Sequence, residues 1–188
     1  MPAPLVEDWP IPYHAQLGTR PADAVDLVVI HCTELPDIAT ARAFGERIRY
    51  PDSGTGACGH DYVDRDGRCW RFVEPTRIAH HVAGLNDRSV GIELVNLGRY
   101  PHWADSRHQR FEEPYPAAQI EALIGLLEDL KRTLPNLRRI AGHEDLDRRL
   151  EPASDDPSIL LPRRRDPGPL FPWDAVLAAT GLPRWCGD

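Results

Sequence analysis

Three residues of metal-binding type lie at predicted strand ends or in a stiffened loop. His31 lies near the end of the apolar run 26–32, and His143 follows a short apolar segment that ends in Ala-Gly. Asp166 precedes a Pro-Gly-Pro turn, whose prolines restrict the backbone. Two imidazoles and one carboxylate leave a fourth tetrahedral position for water, which is the composition of a hydrolytic zinc site. Taken singly, His31 is equally compatible with a half-buried structural histidine, and Asp166 with a turn-forming aspartate.

A fourth candidate, Glu93, interrupts the apolar strand predicted over 89–95. A carboxylate within such a strand is costly unless it is paired or faces a cleft. Burial would raise its pKa and suit it to general-base catalysis. The alternating pattern of the strand also allows the side chain to lie on an exposed face.

The cysteines favour structural roles. Side chains alternate along a strand, so Cys32 should point away from the neighbouring His31. A buried thiol is therefore the preferred interpretation of Cys32, and a cysteine nucleophile is not supported. The chain has four cysteines, and none of them forms a C-x-x-C pair, which argues against a thiolate zinc site and a disulfide framework.

The elements that must position these residues are mixed in type. An Asp-Gly step predicts a hairpin, and apolar residues at helical spacing predict a long amphipathic helix. The predicted strands are 26–32, 60–63, 69–73, 89–95 and 137–141, and the predicted helices are 36–49, 116–133 and 174–179. This pattern indicates an α/β fold with a mixed central β-sheet flanked by helices. Residues 1–25 are expected to form an irregular arm packed on a catalytic domain of residues 26–188, in which 144–165 is mostly loop.

Composition excludes several classes of protein. The chain has 188 residues, with 22 basic against 29 acidic side chains and a net charge of −7, so a nucleic-acid partner is not expected. No apolar stretch reaches the roughly 18 residues of a membrane-spanning helix, so no membrane partner is expected. The first residues do not form a secretory leader, which predicts a cytoplasmic protein. The sequence does not determine the oligomeric state.

Several sequence blocks occur in an order that is specific to one family. They are Val28-Val29-Ile30-His31, Gly59-His60-Asp61-Tyr62-Val63, Ala79-His80-His81-Val82-Ala83-Gly84, Asn86 to Gly98, Gly142-His143-Glu144-Asp145 and Arg165 to Trp173. With these blocks the chain resembles zinc-dependent N-acetylmuramoyl-L-alanine amidases of the amidase-2 type. That family shares its fold with phage T7 lysozyme and the peptidoglycan recognition proteins. Asn96-Leu97-Gly98 and Pro169 to Trp173 are most similar to the AmpD and AmiD branches, which act on muropeptides, including anhydro forms.

The resemblance implies a function and a set of site residues. The expected reaction is cleavage of the amide between N-acetylmuramic acid, or its anhydro form, and L-alanine in peptidoglycan or muropeptides, as part of peptidoglycan catabolism and cell-wall recycling. One Zn²⁺ per chain is expected. The implied zinc ligands are His31, His143 and Asp166, the catalytic residues are Glu93 and Arg164, and the substrate-binding residues are His60, His81 and Asn86.

The chain departs from the family pattern in three places. Arg164 stands where relatives often carry lysine, and a guanidinium can stabilise an oxyanion but cannot donate a proton at these pH values. Arg164 is also part of a run of three arginines, and such runs are usually solvated. The segment 144–165 is longer than in short relatives, and His80 replaces a tryptophan that often precedes the cleft histidine.

Two other functions compete with the zinc amidase. One is a non-catalytic module that holds muropeptide or peptidoglycan without cutting it. The other is a hydrolase of a different amide, such as a phage-type lysin that acts on intact cell wall. Non-catalytic relatives typically lose a zinc ligand, whereas all three candidate ligands and Glu93 are present here, which favours the enzyme.

Overall fold

The computed structural model describes residues 4–187. Within this range the chain combines ten short strands with four α-helices. The strands are β1 Val6–Asp8, β2 Leu27–Cys32, β3 Ile48–Tyr50, β4 Thr55–Gly56, β5 Asp61–Val63, β6 Cys69–Arg71, β7 Ser89–Leu94, β8 Arg139–Gly142, β9 Leu150–Pro152 and β10 Leu160–Pro162. The helices are α1 Ile38–Gly45, α2 Ala117–Thr133, α3 His143–Leu146 and α4 Trp173–Thr180. None of the helices in residues 4–187 combines the length and apolarity that crossing a bilayer requires.

Six strands form one mixed sheet in the order β1-β6-β5-β7-β2-β8. Strand β2, next to the edge strand β8, runs parallel to β7 on one side and to β8 on the other, while β5 and β6 form an antiparallel hairpin. Register places His31 of β2 directly beside Glu93 of β7. Because parallel strands end at the same edge of a sheet, His31 and Glu93 and the residue that follows β8 reach one edge. The prediction of a mixed central sheet is confirmed.

Alternation along the strands divides the core between the two faces of the sheet. Val28 and Ile30 of β2 pack in the larger cluster with the apolar stripe of α2, including Leu123 and Leu127. The other face carries a cluster that includes Tyr62, with residues of α1 and the N-terminal arm packed around it. The predicted stripe of α2 is therefore the main cover of one face, as its helical spacing indicated.

Three segments differ from their predictions. The helix predicted over 36–49 ends at Gly45, because Tyr13 Oη donates a hydrogen bond to the Gly45 carbonyl at 2.7 Å and the next residues pair as β3 with β4. The arm contributes β1, which pairs with β6 at the edge of the sheet. The segment 144–165 is mostly loop, as predicted, but it also contains most of α3 and the antiparallel pair β9–β10. All three differences depend on tertiary pairing that local periodicity does not encode.

Candidate active site

Two histidines and an aspartate meet at the edge of the sheet. His31 Nδ1 lies 3.0 Å from Asp166 Oδ2, and His143 Nδ1 lies 3.1 Å from the same oxygen. The two Nδ1 atoms are 3.0 Å apart, and all three residues are buried. The Glu144 amide donates to the Asp166 carbonyl at 2.9 Å, which holds the Asp166 loop against the start of α3. The fold thus brings together three side chains that are far apart in sequence.

This cluster has the properties of a metal site. One possible ligand atom from each of the three residues lies within 4.8 Å of the other two. Asp166 Oδ1 is buried and has no hydrogen-bond partner among the described residues. Leaving a buried carboxylate oxygen unpaired is costly, and a cation bound beside it would remove that cost. The residues present therefore fit a metal ion held by two imidazoles and one carboxylate.

Burial and hydrogen bonds determine which ring nitrogens carry protons. Burial lowers the pKa of His31 to about 4 and that of His81 well below its usual value, so both rings are neutral. Ser89 Oγ uses its only hydrogen on the Leu85 carbonyl at 2.7 Å, so His81 Nε2, 3.2 Å from Ser89 Oγ, must be the donor. His81 Nδ1 then accepts from His31 Nε2 at 3.0 Å. This assignment leaves a lone pair on His31 Nδ1, the atom that faces the cluster.

Glycine makes room for the His81 ring. A Cβ atom on Gly91 would lie 2.6 Å from two atoms of that ring, so a side chain at this position would displace it. Asn86 Oδ1 accepts the amides of His81 and Val82 at 3.0 and 2.8 Å, which fixes the backbone around His81. His81 borders the cleft, and its role in substrate binding stays a prediction, whereas Asn86 does not border the cleft.

His60 does not reach the cleft. It is fully buried, the Gly91 amide donates to its Nδ1 at 3.0 Å, and its Nε2 lies 3.0 Å from the Arg77 carbonyl. Its ring packs edge-on against His81, with centroids 5.4 Å apart. The buried His60 ring is not accessible to a ligand. It affects the site only by packing against His81.

Glu93 lies in the same cleft as the cluster. Burial, with a further contribution from the charge of Asp166, raises the pKa of Glu93 to about 8, while the charge of Arg164 acts in the opposite direction. A Cβ atom on Gly59 would lie 2.7 Å from Glu93 Cγ, so the absence of a side chain there leaves space for the glutamate. A carboxylate with a pKa near neutrality can both accept and return a proton.

The three consecutive arginines have different surroundings. Arg163 contacts Asp147 and Glu151 through its guanidinium, and Arg165 Nη1 donates to the Gln109 carbonyl at 2.6 Å. Arg164 borders the cleft beside the cluster, and its Nε is buried without a hydrogen-bond partner in residues 4–187. Arg163 borders the cleft as well, so what distinguishes Arg164 is that, within residues 4–187, its guanidinium forms no ion pair.

A buried ion pair that the sequence did not reveal organises one wall. Arg99 donates from Nε and Nη2 to the two carboxylate oxygens of Glu34, each at 2.7 Å. The Trp103 indole donates to the Glu34 carbonyl at 3.1 Å. These contacts attach the loop after β7 to the end of β2, and they place Trp103 at the cleft. No periodic signal marks such a pair, because its partners meet only through the fold.

The neighbouring Cys32 is not part of the cluster. Its Sγ lies 3.4 Å from the Asn96 carbonyl, and burial raises the pKa of the thiol well above its usual value. The thiolate is the reactive form, and a raised pKa disfavours it. Cys32 therefore has the environment of a structural residue and not of a nucleophile.

The chain matches a known protein family. The family model Amidase_2, described as N-acetylmuramoyl-L-alanine amidase, matches residues 21–169. The N-acetylmuramoyl-L-alanine amidase AmiD of Escherichia coli (strain K12) is 34% identical over 127 residues, which are 63% of this chain and 40% of that protein. The aligned part of the chain thus spans less than half of the length of this relative.

Solved structures with the same architecture come from bacteria and from an animal. E. coli AmiD in complex with the substrate anhydro-N-acetylmuramic acid-L-Ala-D-gamma-Glu-L-Lys matches with a TM-score of 0.65 and 27% identity, over 88% of this chain and 60% of that one. LysC from Clostridium intestinale URNW matches with a TM-score of 0.69 and 19% identity, over 96% and 99% of the two chains. Drosophila PGRP-LB matches with a TM-score of 0.58 and 16% identity, over 77% and 85%. The last two matches concern the fold alone, and the second confirms the predicted fold shared with peptidoglycan recognition proteins.

Proposed function

The chain belongs to the Amidase_2 family of N-acetylmuramoyl-L-alanine amidases, and from this premise we propose that it is a zinc-dependent amidohydrolase. The bond cleaved is the amide between N-acetylmuramic acid, or its anhydro form, and L-alanine. The observation that carries the proposal is the buried cluster of His31, His143 and Asp166 beside Glu93 in one cleft. A module that only binds muropeptide has no need of a general base next to a metal site.

Zinc is the proposed metal because two imidazoles and a carboxylate are a common catalytic zinc donor set. When bound, Zn²⁺ supplies a Lewis acid that polarises an amide carbonyl and favours deprotonation of water. His31 is held for ligation through His81, and Asp166 through its backbone contact with Glu144.

The chain's own residues account for the proton transfers and for charge stabilisation. Glu93 takes a proton from the attacking water and later delivers it to the alanine nitrogen as the amide breaks. Arg164, whose guanidinium borders the same cleft, stabilises the negative charge that develops on the carbonyl oxygen. Arginine keeps its proton at these pH values, so its role is electrostatic.

The Arg164→Ala variant tests this electrostatic role. We expect kcat to fall about 10²–10³-fold, as when one oxyanion donor is removed from other enzymes, and Arg164→Lys to retain part of the activity. Turnover of a soluble muropeptide is the measurement.

Arg163→Ala is the matched control for Arg164. Its guanidinium is engaged by Asp147 and Glu151, so we expect kcat close to that of the wild type, with any loss confined to thermal stability. Equal loss of kcat in both variants, and in Arg165→Ala, would mean that the run acts as a diffuse charge.

The His81→Ala variant tests the hydrogen bond that orients His31. Loss of an outer-sphere partner of a ligating histidine typically lowers metal affinity about 10–100-fold, and we expect a loss of this size. The dissociation constant for Zn²⁺, measured by competition with a chelating dye, is the readout.

His80→Ala is the control for His81. His80 also borders the cleft, but its ring packs on Tyr50, 4.9 Å between centroids, and does not contact His31. The zinc affinity of the His80→Ala variant should equal that of the wild type. If His81→Ala also kept wild-type affinity, the orienting role of His81 would be excluded.

The substrate form is proposed to be a soluble muropeptide, including anhydro-muropeptides released in peptidoglycan catabolism. The complex of the related E. coli AmiD with an anhydro-muropeptide supports this choice. Mass spectrometry of products from anhydro-muropeptides and from intact sacculi, incubated in parallel with the protein, tests it. Release of intact stem peptides from the muropeptide is expected. Activity on sacculi alone would favour a lysin, and binding without cleavage would favour a recognition module.

A further inference from the structure

One wall of the cleft, formed by α1 and β3, carries a cation that forms no ion pair with the part of the chain that the structure describes. Arg49 borders the same cavity of about 310 Å³ as His31 and Glu93. Its guanidinium stacks on the Phe44 ring, 4.5 Å from the ring centre. Within residues 4–187, no carboxylate forms an ion pair with Arg49. The stacking contact holds the plane of the guanidinium and leaves its N–H edges free.

The other cations of the cavity are already engaged. Arg99 is bound by both oxygens of Glu34, and Arg163 contacts Asp147. Arg164 borders the reaction site itself, where the proposed mechanism uses its charge. Arg49 is therefore the cleft cation that remains for recognition of a ligand at a distance from the scissile bond.

The chemistry of the proposed substrate supplies a matching anion. In the stem peptide bound by E. coli AmiD, the second residue is a γ-linked D-glutamate, and γ-linkage leaves its α-carboxylate free. An arginine held on an aromatic ring is well suited to a carboxylate, because its planar fork can donate two parallel hydrogen bonds. We propose that Arg49 binds the free α-carboxylate of the γ-linked glutamate in the stem peptide. This inference rests on the proposed amidase function and assigns the peptide to the α1–β3 wall.

The chain contains a matched control for this role. Arg47 stacks on the same Phe44 ring, 5.1 Å from its centre, but it does not border the cavity. Arg47 and Arg49 lie two residues apart, are both exposed and carry the same charge. Replacing either by alanine removes one positive charge and one ring contact, so only the position relative to the cleft differs.

The test uses two anhydro-muramyl tripeptides, L-Ala-γ-D-Glu-L-Lys and the same peptide with the α-carboxylate of glutamate converted to an amide. On the carboxylate form, kcat/KM of Arg49→Ala should be about 10–100-fold below that of the wild type, the range for one hydrogen-bonded charge. The wild type should lose a similar factor on the amide, and Arg49→Ala should show little further loss there. Arg47→Ala should match the wild type on both.

Zinc content and melting temperature of both variants should be close to those of the wild type, since neither arginine belongs to the metal cluster or to the buried core. An equal loss for Arg49→Ala on both peptides would overturn the assignment to this carboxylate, and so would an equal loss in Arg47→Ala. In these cases the amidase function would stand. If the wild type cleaved neither peptide, the proposed function itself would fail, and the assignment of Arg49 with it.

Discussion

The His143→Ala variant is expected to purify without stoichiometric zinc and without measurable amidase activity. The wild type should bind about one zinc ion per chain through three protein ligands. His143 supplies one of them, and its Nδ1 lies 3.1 Å from Asp166 Oδ2. Removing this imidazole leaves His31 and Asp166 as the two remaining ligands, so both metal affinity and the polarisation of substrate are lost. Elemental analysis and turnover of an anhydro-muropeptide are the measurements.

A surface histidine serves as the control for His143. His102 lies outside the cluster on the loop after β7, so His102→Ala should retain zinc and activity. Circular dichroism of both variants separates metal loss from unfolding. Equal zinc content in His143→Ala and the wild type would refute the assignment of this ligand.

The Glu93→Gln variant is expected to keep its fold and its zinc but to lose about 10²–10⁴-fold in kcat, the usual contribution of a positioned general base. The amide has the shape of the carboxylate but cannot take a proton from water. Glu93 is not a member of the metal cluster, so zinc affinity should change little. Burial raises the pKa of Glu93 to about 8, which places its proton transfer close to neutral pH.

Another carboxylate near the cluster provides the comparison for Glu93. Glu144 is next to His143, and burial raises its pKa to about 7, but it does not border the cleft. Glu144→Gln should therefore retain most of the wild-type kcat. If kcat of Glu93→Gln were close to that of the wild type, the general base would have to be another group.

Much of the fold could be predicted because its strongest elements are encoded locally. The residues of β2 form a continuous apolar run, and those of α2 form an apolar stripe at helical spacing. Both patterns are visible in the sequence without knowledge of the partner segments, so periodicity alone identifies these elements. The short elements were missed for the opposite reason. The strands β1, β3, β9 and β10 are each three residues long. They form because a partner strand supplies hydrogen bonds to their backbone N–H and C=O groups.

The candidate site shows the same division. Residue type and position predicted His31 and His143 at strand ends, Asp166 in a proline-stiffened loop and Glu93 inside an apolar strand as the candidates. The orientation of His31 by His81, the burial of His60 and the distinct position of Arg164 within its run of arginines could not be predicted. Each of these three features depends on contacts between atoms of segments that are far apart in the sequence.

By itself the sequence determined the family, the sheet-and-helix class and the identity of the four residues proposed to hold metal and move protons. Tertiary structure alone decided how these residues are supported and what surrounds them. The proton positions on His31 and His81 follow from the hydroxyl of Ser89. Within residues 4–187, Arg99 and Arg163 are paired with Glu34 and Asp147, whereas Arg49 at the cleft wall forms no ion pair. The physical reason is that hydrogen bonds and ion pairs act over a few ångströms in space, whereas the segments that make them are separated by long stretches of chain.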